Sequence, residues 1–462
     1  MHEIKFGTDG WRAKIAEGFT FENLKRVVDA FASYVLSKNK HPEIIIGYDF
    51  RFLSDKYSAF AAELLKNYGF KVYVFYKAVH TPLVSFTIVR KKLDSGIMIT
   101  SSHNPYSYNG FKIKNRFGAG ASKEETRAVE ALITKGAVPK AKKNGNIIQI
   151  NMDDEYVKAV RKAVDINAVK KSGMKIVLDN MYGSGAGYME KILGNYRGLT
   201  VIHGSRDPLF GGINPEPIRK NLLELENSVK ELKASIGIAI DGDGDRMAFV
   251  DDKGRYIPTH KALVLLLLHY VKNRKMKFKF VKTIAGTSLL NKIAGEYGIE
   301  LLETPVGFKH IGDLIIKDKA TIGGEESGGV GFGCFLPERD GIVGNLLLLE
   351  FLAKEGKPVS KVLASLDKKY GKYEYDRVDI KFRESQRKMI VKKSDGLEKI
   401  GIIAGKKIRS ASRLDGVKYI LADNEWVLFR FSGTEPLLRI YSEAPTMKRV
   451  RENLDFGRNL IK

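Results

Sequence analysis

Three times along this chain a short apolar run stops at a loop of small, hydroxylated or acidic residues. Residues 96–100 lead into Ser101-Ser102-His103-Asn104-Pro105, and 235–240 lead into Asp241-Gly242-Asp243-Gly244-Asp245-Arg246. A third short run opens Gly323-Gly324-Glu325-Glu326-Ser327-Gly328-Gly329. Helical spacing separates such runs. Leu24, Val27, Val28, Phe31 and Val35 follow Thr20, a candidate N-cap, and 54–68 reads as a helix closed by Gly69. Residues 44–46, 70–75, 175–179, 278–283 and 301–304 read as strands. Strands separated by helices build largely parallel sheets, whose ligands bind at the carboxyl ends of strands. The pattern predicts one α/β domain made three times, with mixed, mostly parallel sheets. From about Lys369 hydrophobic and charged residues alternate, which predicts a smaller C-terminal α+β domain. The expected domains are 1–148, 149–256, 257–368 and 369–462. The first boundary is marked by the lysine-rich stretch 136–145.

Composition narrows the class. A hydrophobic fraction of 44% supplies a real core and excludes a disordered chain. The single cysteine, Cys334, excludes an intramolecular disulfide and argues against a cysteine–histidine zinc cluster. The longest apolar run, 262–268, is far too short to span a bilayer, and the first ten residues hold no apolar signal segment. A soluble, cytoplasmic protein without a membrane partner is expected. The net charge of +24 raises nucleic acid or an anionic substrate as partner. The lysines are spread along the chain rather than gathered in an arm, which argues against nucleic acid.

The loops carry the chemistry. Asp241, Asp243 and Asp245 repel one another unless a divalent cation lies among them, and their hard oxygens suit Mg²⁺, Ca²⁺ or Mn²⁺. Arg246 in the sixth position, after a strand, excludes an EF-hand, and a solvated acidic turn is the plain alternative. Ser102 at a strand end is placed as a nucleophile, although Asn104-Pro105 also makes an ordinary turn and no G-x-S-x-G elbow is present. Lys112 could return toward that serine across a hairpin, but by itself it reads as a surface lysine. Glu325 and Ser327, between glycine pairs, suit vicinal sugar hydroxyls, or form only a flexible loop. Arg430, Ser432, Gly433, Thr434 and Arg439 offer the donors of an anion cradle, or a basic turn between strands.

Taken together and in order, these loops resemble the α-D-phosphohexomutases, the family of phosphoglucomutase and phosphomannomutase. The likeness runs from Phe6-Gly7-Thr8-Asp9-Gly10-Trp11-Arg12 to Arg439, and includes Gly47-Tyr48-Asp49-Phe50-Arg51 and Thr304-Pro305-Val306-Gly307-Phe308-Lys309. The resemblance implies four domains in a heart shape around a central cleft. It implies a phosphoserine at Ser102, Mg²⁺ held by Ser102, Asp241, Asp243 and Asp245, and a hexose 1,6-bisphosphate intermediate. Arg12, Lys112 and Arg246 are the implied catalytic group, with Lys112 as a base if cationic neighbours depress its pKa. Gly307, Phe308, Lys309, Glu325 and Ser327 would bind the sugar, and Arg430, Ser432, Gly433, Thr434 and Arg439 the phosphate that is not reacting. The expected activity interconverts hexose 1-phosphate and hexose 6-phosphate of glucose or mannose, in a monomer or homodimer. Phosphoglucosamine mutase is the alternative, and a serine phosphatase a more distant one. The sequence departs from the family at Ser101, where alanine is usual, and at Gly329, where several members have histidine.

Overall fold

The β-branched run at 44–46 lies in the interior of a six-stranded sheet in the computed structural model, which describes residues 3–7, 9–142, 144–274, 276–432 and 436–461. Two compact units are present: 1–276 with 307–360, and 277–306 with 361–462. In the first unit, β1 (Trp11–Lys14), β2 (Glu43–Tyr48), β3 (Lys71–Phe75), β4 (Ser95–Ile99), β5 (Tyr108–Asn115) and β6 (Asn146–Ile150) are ordered β1-β5-β4-β2-β3-β6. β2 is parallel to β3 and β4, and β3 to β6. β5 is antiparallel to β4 and β1, so the sheet is mixed. The β4–β5 hairpin sets Lys112 opposite Met98 and buries it, so it is not the surface lysine that the residue alone suggests. Thr20 caps the helix Phe21–Lys38 by accepting from the Asn23 amide at 3.2 Å, and Leu24, Val27, Val28, Phe31 and Val35 are buried in the core. The helix Ser54–Asn67 gives way to Gly69 at φ +88°, a conformation open to glycine.

A second sheet of this unit takes β7 (Ile176–Asp179), β8 (Leu199–Ile202), β9 (Ile236–Ile240), β10 (Met247–Val250) and β11 (Tyr256–Ile257) in the order β11-β10-β9-β7-β8. β7 is parallel to β8 and β9, and the other pairs are antiparallel. The aspartate loop therefore joins the hairpin strands β9 and β10. The apolar run at 262–268 belongs to the helix Thr259–His269, which is buried on every side there. It is a core helix. Among the described residues no helix is long and apolar enough to cross a membrane.

The third segment contributes to both units. β12 (Lys279–Thr283) and β13 (Glu300–Thr304) form a parallel pair in the second unit. β14 (Ile322–Gly324), β15 (Val330–Phe332) and β16 (Leu336–Arg339) form an antiparallel meander in the first, with the Glu325 loop joining β14 to β15. The second unit also holds an antiparallel sheet of β17 (Glu374–Lys381), β18 (Ile402–Ile403), β19 (Lys406–Ser412), β20 (Val417–Leu421), β21 (Trp426–Phe431) and β22 (Leu437–Ala444), ordered β17-β22-β21-β20-β19-β18. Ile390 and Leu397 of the helix Arg387–Ile400, with Val450 and Leu454 of the helix Met447–Ile461, share its core with Val417, Leu438 and Ile440. This is the α+β segment that the alternation from Lys369 predicts.

Candidate active site

Ser102 follows β4 at φ +53°, a left-handed backbone that a serine adopts only when its surroundings impose it. Arg51 supplies much of that constraint. Its guanidinium is fully buried and donates to the carbonyls of Ser102 (2.6 Å), Asn104 (2.7 Å), Pro105 (2.8 Å) and Tyr108 (3.1 Å). Asp49 accepts from Arg51 Nε at 3.2 Å and from the Thr100 hydroxyl at 2.5 Å, and Thr100 in turn accepts from the Ser102 amide at 2.9 Å. The serine loop is thus pinned at both ends. Ser102 Oγ lies 3.3 Å from Asp241 Oδ2 and 3.3 Å from His103 Nδ1.

The three aspartates are buried, and ligand atoms from each lie within 4.8 Å of one another. Asp241 Oδ1 accepts from the amides of Asp245 (2.9 Å) and Arg246 (3.0 Å), which folds the loop back on its first carboxylate. Burial, then repulsion from Asp245 and Asp243, pushes the Asp241 carboxyl well above its usual range. Burial raises Asp243 as well, but Lys112 outweighs it and holds that carboxyl low. Asp243 Oδ1 and Asp245 Oδ1 are buried and accept no hydrogen bond. Buried oxygens without a partner are costly. A small hard divalent cation such as Mg²⁺ would satisfy them, and carboxylate oxygens with no nitrogen or sulfur donor fit such an ion.

Lys112 Nζ contacts Asp243 Oδ2 (2.7 Å), Asp9 Oδ2 (2.8 Å) and Asp245 Oδ2 (3.1 Å). Burial lowers its pKa, but the three carboxylates more than compensate and raise it above the ordinary lysine value. The sequence expectation of a depressed pKa is therefore reversed. Carboxylates, not the cationic neighbours, dominate around this amine. His103 goes the other way: burial and then Arg246, Arg12 and Lys112 hold it well below its usual value, in the neutral form. Arg12 donates to Asn104 Oδ1 at 2.8 Å, and Arg246 Nε is 3.9 Å from Asp245 Oδ1. Ser102, the three aspartates, Lys112, Arg12 and Arg246 thus share one region of the first unit.

Glu325 is buried, and burial pushes its carboxyl up to about 7 despite Arg339 nearby. Ser327 is half-buried in the same turn. Gly307 adopts φ +126° at the start of the helix Phe308–Ile316. Lys309 is half-buried, its pKa lowered by burial and by Lys123. Phe308, expected to touch the sugar, is only 5% exposed, and its ring centroid lies 5.7 Å from the Arg339 guanidinium. In the second unit Arg430 and Arg439 face each other across β21 and β22. Like charges in direct register repel. Asp415 Oδ2 accepts from Arg430 Nε at 2.6 Å, and Asp379 Oδ2 lies 3.5 Å from Arg439 Nε. Ser432 adjoins this pair in sequence, and Gly433 and Thr434 lie outside the described residues.

Sequence reasoning gives no role to Asp9, Arg339 or the buried Lys114–Glu338 pair (2.5 Å), and places Arg51 in a motif without a function. The i, i+2 spacing of Asp49 and Arg51 directly after a strand was the available signal; Arg339, at a strand end, had none.

Four models of the phosphoglucomutase/phosphomannomutase family match this chain in order. They are α/β/α domain I at 3–139, domain II at 154–254, domain III at 259–370, and the C-terminal domain at 380–456. A phosphoglucomutase/phosphomannomutase of Thermococcus kodakarensis is 33% identical over 99% of this chain and 98% of its own. A probable phosphoglucosamine mutase of Methanosphaera stadtmanae is 32% identical over 96% and 95%. A phosphoglucosamine mutase of Caldicellulosiruptor saccharolyticus is 30% identical over 99% and 98%. The crystal structure of a putative phosphomannomutase from Thermus thermophilus superposes with a TM-score of 0.87 at 34% identity, covering 100% of this chain and 99% of that one. With all four domains matched, the chain belongs to the α-D-phosphohexomutase family of phosphoglucomutases and phosphomannomutases, and is a mutase-type isomerase.

Proposed function

We propose that this enzyme interconverts hexose 1-phosphate and hexose 6-phosphate, with Ser102 carrying the transferable phosphoryl group. The supporting observation is Ser102 Oγ held 3.3 Å from Asp241 Oδ2, beside buried carboxylate oxygens that accept no hydrogen bond. Asp241, Asp243, Asp245 and the Ser102 oxygen would hold Mg²⁺, which offsets charge on a transferring phosphoryl group. The chain's own groups then divide the work. Phospho-Ser102 gives its phosphoryl to a free sugar hydroxyl, forming a hexose 1,6-bisphosphate and a free serine. After the bisphosphate turns end for end, the serine oxygen takes the other phosphoryl group and the isomeric monophosphate leaves. Arg12 and Arg246 stabilise charge on the phosphoryl oxygens. Lys112, kept protonated by its carboxylates, contributes positive charge beside the phosphoryl group rather than acting as the base. Glu325 and Ser327, with Gly307 and Lys309, grip sugar hydroxyls present in both orientations. Arg430, Ser432, Gly433, Thr434 and Arg439 hold the distal phosphate.

For the sugar, the relatives' names favour a glucosamine phosphate over the glucose or mannose phosphate expected from Phe308 and Lys309. The glucose and mannose reading keeps the support of the Thermococcus and Thermus proteins. The test is isomerisation of glucosamine, glucose and mannose 1-phosphates, each with Mg²⁺ and its 1,6-bisphosphate. The highest kcat/KM is expected with glucosamine 1-phosphate. Release of inorganic phosphate without an isomer would instead mean a phosphatase.

A further inference from the structure

We infer that Arg339 is the positioning residue that ties the sugar loop to the aspartate loop, and that residue 329 is glycine because the Arg339 stem fills the space beside it. The inference rests on the mutase reading for its kinetic consequence and on geometry for the rest. Arg339 closes β16 with 6% of its side chain exposed. Its Nη2 lies 2.7 Å from Asp9 Oδ2 and 2.7 Å from Asp245 Oδ2, its Nη1 3.5 Å from Glu325 Oε2, and its Nε 3.5 Å from Glu338 Oε1. One guanidinium thus gathers four carboxylates, from the N-terminal loop, the aspartate loop, the sugar loop and its own strand. A planar fork with fixed donors does this, and a lysine point charge does not.

The consequence for the site is orientational. Asp245 Oδ2 is taken by Arg339 and Lys112, which leaves Oδ1 without a hydrogen bond and with Arg246 Nε only at 3.9 Å. Arg339 therefore sets which face of the Asp245 carboxylate is presented as a ligand. The same group draws the Glu325 carboxylate toward it, so sugar loop and aspartate loop share one anchor.

Gly329 leaves this arrangement no slack. A Cβ at that position would lie 2.3 Å from Arg339 Cδ, 2.9 Å from Arg339 Cγ and 3.1 Å from Glu325 Oε2. Its backbone is held on both sides, because its carbonyl accepts from the Glu325 amide at 2.9 Å and the residue itself forms an antiparallel bridge with Arg246. Arg339 cannot swing away freely either, since the Phe308 ring stands 5.7 Å from its guanidinium and is itself packed on Gly331. A single methyl group at 329 must displace the arginine. The absence of a side chain there is a positive requirement of this site, not merely the loss of one.

The test uses the full chain. Gly329→Ala is expected to lower kcat about 10-fold or more, as loss of a ligand-orienting contact does, with a smaller change in KM. Its crystal structure is expected to show the guanidinium out of hydrogen-bonding distance of Asp245, and calorimetry to show weaker Mg²⁺ binding. In an Arg339→Ala background the same Gly329→Ala change is expected to alter kcat less than about twofold, because the clash is gone. An equal loss in both backgrounds, or a Gly329→Ala crystal structure with Arg339 unmoved, overturns the inference. Should Arg339→Ala fail to fold, the structure and Mg²⁺ affinity of Gly329→Ala decide alone. Wild-type protein that isomerises none of the hexose phosphates defeats the mutase reading, and leaves those two measurements to judge Arg339 separately.

Discussion

A buried carboxylate raised to about 7 is an unusual thing for a protein to carry, and at Glu325 it has a thermodynamic signature. The unfolded value is 4.5, so between about 4.5 and 7 the folded protein retains a proton that the unfolded chain has lost. Stability therefore falls as pH rises through that window and stays low above it. Each pH unit between the two values corresponds to about 1.4 kcal/mol, so the full effect is roughly 3 kcal/mol. Glu325→Gln removes this dependence while keeping the shape. Thermal melts are expected to show the variant more stable than wild type at pH 8, and the excess to shrink toward pH 5. Activity should move the opposite way, with a raised KM for the sugar phosphate. An excess that stays constant with pH defeats the argument. Glu325 was legible from sequence as a residue between glycines, but its titration was not, because burial and Arg339 arrive from elsewhere in the fold. Lys112 teaches the same lesson more sharply. Spacing allows its place across the hairpin but not its burial, and the sign of its pKa shift depends on Asp9, Asp243 and Asp245 meeting at one amine.

Elements built from local signals were read well because their determinants are local. Thr20 before an apolar periodicity and Gly69 after one each carry their own reason. The helix Lys123–Thr134 offers a clean measure of such a signal. Ser122 accepts from the Glu125 amide at 3.2 Å, and Glu125 Oε2 accepts from the Ser122 amide at 2.8 Å, a complete capping box. Ser122→Ala is expected to lower stability by about 1 kcal/mol with kcat unchanged, measured by urea unfolding and initial rates. A larger loss, or a loss of kcat, means that this helix end does more than cap. The β21–β22 pair makes a contrasting case. Arg430 opposite Arg439 is unfavourable for the sheet, so a pair retained for anion binding should leave the fold unharmed when one is removed. Arg439→Met is expected to raise KM about 10-fold or more, the worth of one charged hydrogen bond, with no fall in melting temperature. A lower melting temperature with unchanged KM assigns the arginine to the sheet alone. What the sequence did not disclose here is pairing across elements. The Asp49–Arg51 spacing signals a local pair but not the four carbonyls that Arg51 holds, and Arg339 gathering four carboxylates is a product of strand order that no local pattern encodes.

Over the chain as a whole, the +24 charge admits two readings, a polyanion partner or a field that favours small anions. The buried cations are not a surplus. Lys112, Arg339, Arg51 and Lys114 are each matched by carboxylates or carbonyls at short range. The excess therefore resides in exposed lysines and arginines, which act together at a distance rather than through any single contact. Such a field raises the encounter rate of a dianionic sugar phosphate, and salt weakens it. Between about 0.01 M and 0.1 M ionic strength the Debye length shortens from about 30 Å to about 10 Å, which screens the distant charges but spares the buried site. The expected outcome is a several-fold fall in kcat/KM across that range with kcat nearly constant, at fixed Mg²⁺ and with a neutral osmolyte as control. A matching fall in kcat would place the salt effect inside the site, and a flat kcat/KM would mean that the surface charge does not guide substrate at all.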